Sequence, residues 1–226
     1  VSSLFLFLIV MLVIPSATRG AEQFVLVKEG KCQAPIVVAE NAPPLTGRVA
    51  EELAYYIEKT TGAKPQIIEG ESDPVPEHAV WVGYQPLLDK LFPSIDFEFK
   101  HRAEFVIAAN NNHVVIAGRD RWNPDHTELS IRFGKPKTFN GLQQEYGTHN
   151  AVYTFLQEQL GVRWLWPGEL GMDIRKRKTV ALEPFTYRYH PQVRARGGLF
   201  PWMQLHRVGP GGPEQLTYGY WTRTQR

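Results

Sequence analysis

The sequence is poor in cysteine. Cys32 is the single one among 226 residues, so no internal disulfide can staple the fold. A nucleophilic Cys32 would need a histidine beside it to hold the thiolate, and no spacing places one there, so it reads as a structural residue. An excess of charge is lacking too. Lys and Arg total 25 against 23 Asp and Glu, a net of +2, which indicates neither a nucleic-acid surface nor an acidic solvating tail. No apolar run reaches the roughly 20 residues of a membrane-spanning helix. Phosphate loop, dinucleotide fingerprint, nucleophile elbow and paired-histidine zinc helix are all missing, and His113, His126, His149, His190 and His206 are scattered without metal-ligand spacing. No metal and no cofactor is therefore expected.

What is present is the material of a folded body. Hydrophobic residues make up 43% and aromatics 12%, enough for a sizeable core and too much for disorder. Leu4 to Ile14 is an unbroken apolar run followed by Pro15, Ser16 and small residues up to Ala21, the pattern of a cleavable export signal over residues 1–20. Val1 stands where a Met would open a chain, so the true start is expected upstream. With this leader the expected location is secreted or periplasmic, with no stable membrane span.

The body, residues 21–190, alternates strand and helix patterns. Phe24 to Lys28, Ile36 to Ala39, Gln66 to Ile68 and Val80 to Val82 read as strands. Val49, Leu53, Tyr56 and Ile57 keep helical spacing within a helix predicted over 48–60, with Thr46 as its cap and Gly62 as its left-handed terminator. Pro86 to Phe92 is a short predicted helix. Glu104 to Ala109 and His113 to Ala117 form a predicted hairpin, whose Asn110-Asn111-Asn112 turn is expected to use positive φ. A second long helix is predicted over 149–160, capped by Thr148 and closed by Gly161. Val162 to Trp166, Thr179 to Leu182 and Phe185 to Tyr189 follow as extended segments. The fold class is thus α/β, a mixed β-sheet with helices packed on it. Arg119 to Tyr146, polar and rich in Asn, Lys and Gly, reads as a long functional or mobile loop.

Chemistry is sparsely signalled. Glycoside hydrolysis needs two carboxyl groups flanking the bond. Glu51 and Glu52 are adjacent on a helix and point apart, no Asp-Glu dipeptide occurs, and Glu158, Glu169 and Asp173 read as solvated or capping residues. Arg175-Lys176-Arg177-Lys178 reads as a solvated turn, and the Gly209 to Pro213 run as a turn or linker. Trp164 and Trp166, two apart on a strand, share one face, which suits either sugar stacking or burial, with burial favoured.

Three stretches carry a resemblance: Ala50 to Ala63, Val80-Trp81-Val82-Gly83, and Gly147-Thr148-His149-Asn150 through Gly161-Val162-Arg163-Trp164. Together they resemble the N-terminal domain of exported α-glucuronidase-like and β-hexosaminidase-like glycoside hydrolases, a head shared by a bacterial family with a domain of unknown function. The resemblance implies a hexosaminidase domain 2-like α/β layer without chemistry of its own, packing on a following (β/α)8 barrel that carries the carboxylates. Residues 191–226 would be the truncated start of that barrel, with Arg194 to Phe200 resembling its first strand. A barrel takes about 250 residues, so the chain is expected to be a fragment. The resemblance also assigns a sugar-binding arginine to this strand, and Arg196 or Arg194 could match it, a structural ion pair being the competing role. The candidate substrate-binding residues are Arg196, Trp164 and Trp166, the partners carbohydrate and the chain's own downstream barrel, with no nucleic acid. The alternative reading is a stand-alone carbohydrate-binding or surface-interaction module that stacks sugars on Trp122, Trp164 and Trp166.

Overall fold

In the computed structural model the described residues are 23–70, 73–132, 135–165 and 169–192. The expected leader over 1–20 and the expected barrel strand at Arg194 to Phe200 lie outside them. The backbone of the architecture is a mixed six-stranded sheet built from β3 (Ile36–Val38), β4 (Ile67–Glu69), β5 (Ala79–Val82), β6 (Phe105–Ala109), β7 (His113–Gly118) and β13 (Phe185–Tyr189), in the order β13-β6-β7-β5-β3-β4. Pairing is parallel from β4 through β3 and β5 to β7, and antiparallel on both sides of β6, so β6 alone of the six runs against the others.

Strands in the middle of this sheet are buried on both faces, which is why they read as continuous β-branched runs. Ile36, Val38, Val80, Val82, Val114 and Ile116 face a core shared with helices α1 (Pro44–Thr61) and α3 (Gly147–Glu158), which contribute Val49, Leu53, Ile57, Val152, Phe155 and Leu156. Val37, Trp81, Val115 and Ala117 face the opposite way, beneath the short helix α2 (Leu88–Leu91), Phe92 and Phe97. Each fully buried Leu, Ile or Phe contributes about 1.5–3 kcal/mol by leaving water. A small antiparallel sheet of β1 (Phe24–Lys28), β2 (Lys31–Cys32) and β12 (Val180–Leu182) extends the core, pairing Phe24 with Leu182 and Val27 with Cys32. Among the described residues no helix is long and apolar enough to cross a membrane.

Gly62 does end α1 in the left-handed region, at φ 82°, its N–H donating to the Glu58 carbonyl at 2.8 Å. The helix starts four residues earlier than the spacing predicts, on Pro43 and Pro44, so Thr46 lies within its first turn and is not the cap. Thr148 is not a cap either, because α3 already begins at Gly147. This start is forced by a close crossing. A Cβ on Gly118 would sit 2.3 Å from the Gly147 carbonyl carbon, and one on Gly147 would sit 2.3 Å from the Arg119 nitrogen. Strand end and helix start therefore meet backbone to backbone, and both positions require glycine.

The β6–β7 hairpin forms as predicted, but its turn works differently. Positive φ among non-glycine residues described is confined to Glu29, Asn41 and Ala103. Asn110 instead turns the chain with its side chain, whose Oδ1 accepts the N–H groups of Asn112 at 2.9 Å and His113 at 2.7 Å.

The largest departure is residues 119–146. Instead of a loop, they form a two-stranded antiparallel ribbon, β8 (Asp120–Arg132) with β9 (Lys135–Tyr146), from Asp120 opposite Tyr146 to Arg132 opposite Lys135. Its register is interrupted between Asn123 and Thr127, the stretch that contains Pro124, which has no N–H to give to a ladder.

The basic run at 175–178 also has more to do than face water. Arg177 donates to the Leu160 carbonyl at 2.5 Å and its own N–H to the Thr60 carbonyl at 2.9 Å, while Lys176 donates to the Lys59 carbonyl. These cations close the carbonyl ends of α3 and α1, where the helix dipole favours positive charge.

Candidate functional site

The parallel strands leave their carboxyl ends along one rim of the sheet. After β3 the chain turns through Ala39 to Pro43 into α1 on one face, whereas after β5 it turns through Gly83 and Tyr84 to α2 on the other. Loops that part in this way open a crevice at the strand ends, the usual location of ligand sites in open α/β sheets. The crevice here has a volume of about 340 Å³ and is lined by Glu40, Asn41, Tyr84, Phe99, Arg119 and Asp120 around small apolar residues. On the far side of the Ala39–Pro43 loop a second, wider depression of about 870 Å³ is bordered by Arg48, Glu51 and Glu69.

Asp120 closes the crevice floor. Its Oδ1 accepts the Thr148 N–H at 3.0 Å and its Oδ2 accepts the Thr46 hydroxyl at 3.0 Å. One carboxylate thus satisfies a free donor of the first turn of α3 and ties that helix to α1. The cap missing from the α3 sequence is supplied by a strand residue 28 positions upstream. Burial pushes the Asp120 carboxyl above the usual carboxylate range, against the pull of the Thr148 and Thr46 hydrogen bonds. Next to it Arg119 is held from two sides, Nε at 2.9 Å from Glu145 Oε2 and a terminal nitrogen donating to the Lys100 carbonyl at 3.1 Å. Glu145 itself is 4% exposed, so this pair is a partly buried one.

The rim continues to β13. Arg188 pairs with the buried Glu104 carboxylate, donates to the Asp96 carbonyl and lies with its guanidinium carbon 5.6 Å from the Phe99 ring centre. Burial alone would raise Glu104; the His101 N–H at 2.7 Å and the Arg188 guanidinium outweigh it and hold the carboxyl below its ordinary value. At the opposite, amino rim, His113 is buried with its Nδ1 accepting the Trp81 indole N–H at 3.3 Å. Burial, with His78 nearby, holds its pKa below the ordinary histidine value.

Trp164 is buried, 7% exposed, on β10 (Arg163–Trp164), which pairs with β11 (Met172–Asp173). Its indole N–H donates to the Tyr56 hydroxyl at 2.8 Å, and its ring meets those of Tyr56 and Tyr153 edge-on at 5.3 and 5.4 Å. Burial pushes the Tyr56 hydroxyl up to about 12. Tyr153 in turn donates to Glu52. Trp164 is thus an interior tie between α1, α3 and β10, and presents no stacking face to a ligand. Trp166 and Arg196 lie outside the described residues, and Trp122 is half-buried near the base of the ribbon. Cys32 is half-buried, with its thiol pushed up by burial, which suits a packing residue better than a nucleophile. Glu158, Glu169 and Asp173 are exposed, as expected of solvated carboxylates. Among the described residues no group of three or more His, Cys, Asp or Glu side chains is arranged to hold a metal ion.

None of the crevice residues stands out in the sequence as a site. They come from four separate stretches of chain, and Asp120 and Arg119 fall at the edge of what reads as a loop. Gln85 is a further unflagged position: it is 4% exposed and neither of its side-chain amide atoms has a hydrogen-bond partner among the described residues. No protein-family model matches the sequence, and no curated protein matches it.

Proposed function

We propose that the chain provides the N-terminal α/β accessory domain of an exported glycoside hydrolase of the α-glucuronidase-like or β-hexosaminidase-like kind, with the catalytic carboxylates on a barrel that follows it. The observation that carries this reading is how the resembling stretches lie relative to one another. Ala50 to Ala63 is the body of α1, Val80 to Gly83 is the central strand β5 with its exit, and Gly147 to Trp164 spans α3 and β10. The first and third are joined directly, Trp164 to Tyr56 and Tyr153 to Glu52, so residues marked by resemblance form one packed unit. On this reading the barrel begins within 191–226, Arg196 belongs to its first strand as a sugar-binding or ion-pairing residue, and carbohydrate and barrel are the partners in a secreted or periplasmic enzyme.

Two measurements test it. The reading frame beyond Arg226 should continue for the length of a barrel and contain paired acidic residues. The purified 226-residue chain should not turn over aryl glycosides. Hydrolysis at enzymatic rates by this chain would overturn the accessory role.

A further inference from the structure

We infer that the crevice between the carboxyl ends of β3 and β5 is a binding site for a neutral, hydroxyl-bearing ring with one apolar face, the chemistry of a pyranose sugar. This goes beyond the accessory-domain reading and does not depend on it. The position follows from topology, since the loops after β3 and β5 part to opposite faces of the sheet there. The size, about 340 Å³, falls within the range of small-ligand sites.

The walls select the ligand. Tyr84, 42% exposed, gives aromatic surface for the apolar face of a ring, and the half-buried Phe99, backed on one face by Arg188, adds apolar wall beside it. Tyr84 is held in place by its hydroxyl donating to Asp89 at 3.0 Å and by the Phe97 ring at 5.4 Å, so little ordering remains to be lost on binding. Glu40 and Asn41, both exposed on the β3–α1 loop, offer acceptors and amide donors to hydroxyl groups.

Anionic ligands are disfavoured by the same residues. Arg119, the one cation among the lining residues, is already committed to Glu145 and to the Lys100 carbonyl. The first turn of α1 starts with two prolines that have no N–H, and the Thr148 N–H of α3 is taken by Asp120. A phosphate or carboxylate would meet Glu40 and Asp120 with no free donor cluster to offset them. A cation gains little from Asp120, because both of its oxygens already accept hydrogen bonds.

The test is a titration of the full chain, followed by amide NMR shifts, with the methyl pyranosides of glucose, galactose, mannose and xylose and with methyl glucuronide as the anionic counterpart. At least one neutral pyranoside should give saturable shifts centred on residues 40–42, 83–84 and 118–120, and the glucuronide should bind several-fold more weakly. Tyr84→Ala should weaken the neutral ligand about tenfold, whereas Tyr84→Phe, which keeps the ring and its Phe97 contact and loses only the Asp89 hydrogen bond, should weaken it far less. Glu40→Gln should narrow the gap between glucuronide and neutral sugar. If Tyr84→Ala disturbs the spectrum as a whole, the Glu40→Gln comparison decides. The inference is overturned if none of the four neutral sugars gives a saturable shift, if the shifts map away from the crevice, or if neither variant changes the ranking. A negative titration leaves the hydrolase reading to its own tests, which involve turnover and the downstream frame.

Discussion

The central sheet and the β8–β9 ribbon are both β-structure, yet they are held in opposite ways. β5 and β7 are buried on both faces along every residue, so burial and hydrogen bonding coincide. The ribbon forms a sheet by itself, and its base is fixed to the body by polar groups: Asp120 to Thr46 and Thr148, and Arg119 to the Lys100 carbonyl. Structure sustained by apolar burial announces itself in a pattern of residues. Structure sustained by a backbone ladder and a few placed charges does not.

Substitutions that attack these two modes should differ in size. Gly147→Ala should have the largest effect, since the added carbon would meet backbone atoms that cannot move aside. A loss of about 4 kcal/mol or more, or no folded protein at all, is expected in chemical denaturation. Leu53→Ala, which empties a fully buried site between α1 and the sheet, should cost about 2–5 kcal/mol. Asp120→Ala breaks the polar attachment, leaving the Thr148 N–H and the Thr46 hydroxyl without their acceptor, and should cost about 1–3 kcal/mol. If Asp120→Ala were as damaging as Leu53→Ala, the division between apolar body and polar attachment would fail.

A smaller, pH-dependent effect sharpens the same contrast at the amino rim. His113 has a depressed pKa in the folded chain and must keep Nδ1 unprotonated to accept from Trp81. The unfolded chain takes up a proton below about pH 6.5 while the folded one resists, so stability is full above that value and is lost as pH falls below it. Thermal melts between pH 7.5 and about 5 should show this decline, and His113→Asn, which preserves an acceptor without titrating, should flatten it. Smallest of all, Asn123→Ala in the exposed, irregular part of the ribbon should shift the denaturation midpoint by an amount equivalent to no more than about 0.5 kcal/mol.

These two modes also explain what could be read in advance. Val49, Leu53 and Ile57 mark α1, and the β-branched runs mark β3, β5 and β7, because a buried face imposes residue types at fixed intervals. Gly62 marks a helix end because its φ is positive. The ribbon escaped notice because its ladder uses backbone atoms that every residue carries, and its polar residues show no alternation. The caps were misplaced for a related reason. A cap is sought beside its helix, but that of α3 comes from Asp120, and α1 opens on prolines that leave fewer donors to satisfy. The crevice could not be read from sequence at all, because four stretches distant in the chain become neighbours only once the strand order is known.

The direction of β13 has one more consequence. Because it runs with β5 and β7, its last residues emerge on the crevice rim, and Arg188 presses on Phe99 in the crevice wall. The end of the strand is tied there several times over, by Arg188 to Glu104, to the Asp96 carbonyl and over Phe99, and by His190 stacked on His101 at 4.2 Å, so a change at Arg188 would disturb the crevice wall and the end of β13 together.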